Sequence, residues 1–155
     1  MKLLHGLLIF LLVFAISCKK ENTASTPPEI SLLDVSPTVM SLSGEDSVFI
    51  TLRVIDANSD LGVDTPDYDI YVIDKRSDTT YYTNQFRLPI IPEDLQDPTK
   101  RFEAICQIYL DIRFFPLRED DTARTSDTLK FEIYMRDRDK NESNHVTTPE
   151  IYIVP

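Results

Sequence analysis

Hydrophobic and polar residues alternate along most of this chain with a period of two, not the three to four of an amphipathic helix. In "SVFITLRVID", residues 47 to 56, Val48, Ile50, Leu52 and Val54 share one face. In "FEAICQIYLDI", Phe102, Ala104, Cys106, Ile108, Leu110 and Ile112 do the same. "TLKFEIYM" sets Leu129, Phe131, Ile133 and Met135 against Lys130, Glu132 and Tyr134. Successive side chains of an extended chain point to opposite faces, so these stretches predict half-buried β-strands. Shorter runs predict further strands at Glu29–Val35, Tyr68–Lys75, Thr80–Ile90 and Glu150–Val154. Clusters of Asp, Asn, Ser and Pro punctuate them as turns. No stretch after residue 28 sustains a capped helical period, and no internal repeat is present. About seven strands separated by turn signals predict an all-β fold, a single antiparallel β-sandwich.

The first residues follow another pattern. Leu3 to Ile16 is apolar except for His5 and Gly6, with Lys2 ahead of it. A basic start, a short apolar run and small residues before a cut are the marks of a secretory signal. The run falls short of the ~20 residues that a helix needs to cross a bilayer. "Ala15-Ile16-Ser17-Cys18" resembles a bacterial lipobox. That resemblance implies cleavage before Cys18 and acylation of its new terminus, an anchor to the membrane through several chains rather than one. Lys19 in place of Asp implies, by the same resemblance, the outer membrane rather than retention in the inner one. The chain thus divides into a signal peptide (1–17), the lipidated Cys18 with a flexible tether (18–28), and the sandwich domain (29–155). The polar tether "KKENTASTPP" reaches at most about 33 Å when fully extended.

Composition narrows the chemistry. The formal charge is −10, and one unit more negative once Lys2 is removed. Phosphates would be repelled, which argues against nucleic-acid binding. With Cys18 acylated, only Cys106 remains, so no intramolecular disulfide is available. Cys106 lies on the apolar face of its strand, where it reads as a small buried hydrophobe. His145 stands in a polar, turn-like run without an obvious catalytic partner. There is no Cys/His cluster for zinc and no Gly-rich phosphate loop. These features predict a protein that is not an enzyme and needs no cofactor, with one candidate exception.

That exception is acidic. Asp56, Asn58 and Asp60 alternate in one turn, and Asp137, Asp139 and Asn141 alternate in another. Calcium takes six to eight oxygens from flexible loops rich in Asp and Asn. The first run is not an EF-hand loop, since Gly62 stands one position late and no helices flank it. Asp and Asn also form turns for their own sake. If both loops emerge at one end of the sandwich, the six residues converge into a candidate Ca²⁺ site. A second feature is aromatic: with Ile70, Val72, Phe131, Ile133, Ile151 and Ile153 facing inward, Tyr71, Tyr134 and Tyr152 face outward. On neighbouring strands they would form an exposed stripe suited to a partner.

The closing stretch "FEIYMRDRDKNESNHVTTPEIYIVP" resembles the last hairpin of bacterial immunoglobulin-like and fibronectin-III-like domains, and "VIDANSDLGVD" the turn after their second strand. Joined to the lipobox, the resemblance implies a lipid-anchored envelope or cell-surface lipoprotein. The expected role is an interaction, adhesion or assembly module with a protein or glycan partner. The alternative is a lipoprotein that captures a glycan or a cation for a transporter.

Overall fold

The computed structural model describes residues 26–41, 46–76, 83–96, 101–111 and 126–155. Cys18, the signal segment, most of the tether and Ile112 lie outside the described residues. Within them the chain forms ten strands: β1 (Glu29–Ser36), β2 (Val39–Ser41), β3 (Ser47–Asp56), β4 (Ile70–Asp74), β5 (Thr83–Phe86), β6 (Phe102–Asp111), β7 (Asp127–Leu129), β8 (Phe131–Met135), β9 (Val146–Thr147) and β10 (Ile151–Val154). A single 3₁₀ turn at Glu93–Leu95 is the only helical element among the described residues.

The strands form three small sheets, ordered β1-β3-β6, β2-β10-β7 and β5-β4-β8-β9. This differs from an expectation of seven antiparallel strands in two ways. The stretch 127–135 is cut at Lys130 into β7 and β8, which belong to different sheets. The short β2 pairs parallel to β10, while every other named pair is antiparallel.

The longest ladder, β3 with β6, follows the alternation closely. Val48, Ile50, Leu52 and Val54 are buried, and Ile108 and Leu110 face them from β6. Each such side chain contributes roughly 1.5–3 kcal/mol by leaving water. In β1 the alternation changes phase: Ile30 is buried, then Val35, with a register shift between Leu32 and Asp34. The bulge leaves Leu33 outside and returns Val35 to the interior, where an unbroken strand would have turned it to solvent. All three sheets contribute to one hydrophobic cluster: Ile30, Ile50 and Leu110 from the first, Met40, Leu129 and Ile153 from the second, and Val72, Phe131 and Ile133 from the third.

The run "NESN" binds the last hairpin together. Asn141 closes the turn on Asp137, and the buried Ser143 hydroxyl accepts the Met135 N–H at 2.9 Å. Asn144 reaches across to β1, accepting the Ile30 N–H and donating to the Ile30 carbonyl, both at 2.9 Å. Further along, Thr148 accepts the Phe131 N–H through its hydroxyl at 3.0 Å and donates its own N–H to the Phe131 carbonyl. That exchange ends the β8–β9 pairing, and β10 then continues beside β7.

Candidate functional site

The acidic turn begins where β3 ends. Asp56, the last residue of β3, is fully buried, and its Oδ2 accepts the N–H of Asp60 at 2.8 Å. Ser59 between them takes a left-handed backbone (φ 59°), which lets five residues fold back on themselves. One oxygen of each alternate residue then has no hydrogen-bond partner: Asp56 Oδ1, Asn58 Oδ1 and Asp60 Oδ1 are all buried. A buried acceptor left unpaired costs about 1–3 kcal/mol, and more when charged. Three on one turn are therefore unusual.

The second acidic turn meets the first. The Arg138 N–H donates to the Asp60 carbonyl at 3.2 Å, and its guanidinium to the Leu61 carbonyl at 3.3 Å. Lys140, itself left-handed (φ 69°), pairs with Asp67 at 3.1 Å. Burial first, then the charges of Asp137, Asp56 and Asp139, push the Asp60 carboxyl up to about 6, with Arg138 pulling the other way. The six candidates are not equivalent, however. Asp137 is buried and accepts both the N–H and the side-chain amide of Asn141, at 2.8 and 2.7 Å. Asp139 is exposed. Among the described residues, no three His, Cys, Asp or Glu side chains form a group able to hold a metal ion. The leftover donors are a mixed set, two carboxylates and an amide.

The aromatic stripe is partly assembled. Tyr71 and Tyr134 are paired across β4 and β8 and stack at 4.7 Å with planes 5° apart. The His145 ring stacks on the other face of Tyr134, also at 4.7 Å. The Arg136 guanidinium lies over both tyrosines, 5.0 and 5.4 Å from their centroids. His145 in turn contacts Glu132 at 2.6 Å and Glu142 at 3.0 Å, and these carboxylates, Glu132 first, hold its imidazole above the ordinary value. Tyr152 does not join the stack. It sits on β10, opposite Thr128 and Val39 in another sheet, and its hydroxyl donates to Glu150. The place expected for it is taken by β9. Sequence reasoning missed a second aromatic pair, Phe49 and Tyr109, on the exposed face of β3 and β6 with centroids 5.4 Å apart. Both occupy outward positions of the alternation, which was the available signal.

Cys106 faces inward, and burial pushes its thiol up to about 11, so it is a poor nucleophile. It lines a cavity of about 740 Å³ with Val54, Leu61, Phe86, Phe102 and Ile105. No protein-family model matches the chain, and no curated protein sequence does.

Proposed function

We propose that this chain is a lipid-anchored interaction module of the bacterial envelope. In this reading Cys18 carries the anchor at the outer membrane, and residues 29–155 form one immunoglobulin-like or fibronectin-III-like β-sandwich that contacts a partner without catalysing a reaction. The shared hydrophobic cluster supports the sandwich, because sheets with a common core behave as layers of one domain. So does the N-terminal segment, whose β1 and β2 pair in different sheets.

The observation that carries the role is the Tyr71–Tyr134–His145 stack capped by Arg136. Tyr and Arg are the residues enriched where partners dock, since they offer a large apolar face with polar edges. Anchoring is tested by Cys18→Ser, which should release the domain from membranes or leave the precursor uncut. Contact is tested by placing a photoreactive phenylalanine analogue at Tyr71 in intact membranes. A discrete adduct, lost when Arg136→Ala is added, is the expected result. Adducts no stronger than those from Asp34, on exposed β1, would reduce the stack to ordinary cross-strand packing.

The cavity favours a second reading, capture of a small ligand, because its size lies within the range of ligand pockets. Its mostly apolar lining suits an apolar molecule better than a glycan.

A further inference from the structure

We propose that the turn Asp56–Asp60 is a calcium site, built from Asp56 Oδ1, Asn58 Oδ1 and Asp60 Oδ1 and placed against the Asp137 turn. Burial, spacing and charge point there. The oxygens are buried, lie on alternate residues of one turn, and have no hydrogen-bond partner. Asp56 is wholly inaccessible to solvent and cannot be relieved by rotating outward. The neighbouring turn brings Asp137 and Asp139 close enough to act on Asp60, and Arg138 opposes them.

The donor set selects the ion. Zinc prefers Cys and His, which this end of the molecule does not offer at these oxygens. Magnesium demands a near-ideal octahedron and retains most of its water. Calcium accepts carboxylate, amide and water oxygens together in irregular geometry. Ordered water would satisfy the same oxygens but would leave the like charges facing one another. A divalent cation does both.

The bound ion would fasten the end of β3 to the β8–β9 turn. Glu29 pairs with Ile55, and Asn144 holds Ile30, so this is also the end at which the chain enters the fold. The ion therefore ties together the edge nearest the tether.

The test uses the full chain in non-ionic detergent, stripped with chelator and titrated with calcium or magnesium chloride at matched ionic strength. One Ca²⁺ per chain is expected, with a Kd of roughly 10⁻⁴–10⁻³ M, the range of weak calcium sites in extracellular modules. Calcium at tenfold above Kd should raise the folded-to-unfolded ratio about eleven-fold, read as a higher melting temperature. Asn58→Ala removes an oxygen that makes no hydrogen bond, so folding should survive while affinity falls at least tenfold. Asp60→Asn should also lose affinity, yet melt above the parent in chelator because a repelling charge is gone. Asp34→Asn, on exposed β1, should respond like the parent. No calcium binding up to millimolar concentration, an equal response to magnesium, or parental affinity in both Asn58→Ala and Asp60→Asn would overturn the proposal.

Discussion

Arg76 offers the most demanding test of how the sheets are joined. Its guanidinium bonds Asp74, at the end of β4, through Nε at 2.8 Å, and Asp127, at the start of β7, through Nη1 at 2.9 Å. These side chains are only 4, 2 and 3% exposed. Burial works against the charge of Arg76, but Asp74 and Asp127 outweigh it and hold the guanidinium above its ordinary value. The cluster links the β4 sheet to the β7 sheet without a shared backbone ladder. Arg76→Ala would leave two buried carboxylates without their guanidinium, and breaking a buried pair this way costs about 3–5 kcal/mol. Total stability is only about 5–15 kcal/mol, so this is a large share. At roughly 3–4 °C per kcal/mol for a chain of this size, the melting temperature should fall by about 10–20 °C. Thermal unfolding followed by far-ultraviolet circular dichroism measures the loss. A double-mutant cycle with Asp127→Asn then isolates the coupling. A loss below about 1 kcal/mol, or a coupling below about 0.5 kcal/mol, would mean that the pair is solvated and that the joint lies elsewhere.

Two other expectations follow from the described geometry. Gly62 has φ +87°, and a Cβ there would meet the backbone of Pro89 and Ile90, the Ile90 Cα at 2.8 Å. Gly62→Ala should therefore destabilise by about 1–3 kcal/mol, and a melting temperature equal to the parent's would refute that packing. His145, held by Glu132 and Glu142, should titrate above its ordinary 6.5 in NMR, and Glu132→Gln with Glu142→Gln should bring it back. Because its folded value is raised, its stabilisation is full below 6.5 and is lost as pH rises through the folded value; a midpoint at or below 6.5 would contradict the ion pairs.

Much of this was legible in the alternation. β3 and the described part of β6 carry most of their buried residues on the expected faces, with Ile55 and Asp111 buried off them at the strand ends. Other features were not. β2 and β9 span three and two residues, too few to show a period. The position of Tyr152 depended on where the chain changes sheets, at Lys130 and again at Thr148, and neither residue marks itself as a switch. Which oxygens of the Asp56 turn remain unpaired depends on the Ser59 backbone and on the single bond from Asp56 to Asp60. Composition alone could not distinguish a ligand from a turn former there. Asn144 lies in the same polar run, and nothing in its type marks it as the residue that stitches the last hairpin to the first strand.

The parallel pairing of β2 with β10 gives the molecule a direction under load. A pull on the chain's beginning first reaches β1, whose antiparallel ladder opens from Glu29 and Ile55 onward, one pair after another. The tension then passes to β2, which runs alongside β10 at Val39–Tyr152, Met40–Ile153 and Ser41–Val154. If the other end of the load is held near the final residues, these strands are drawn past each other along their length. The bonds between them must then yield together rather than in sequence. A module pulled between its two termini would thus part easily at its first strand and resist at its second.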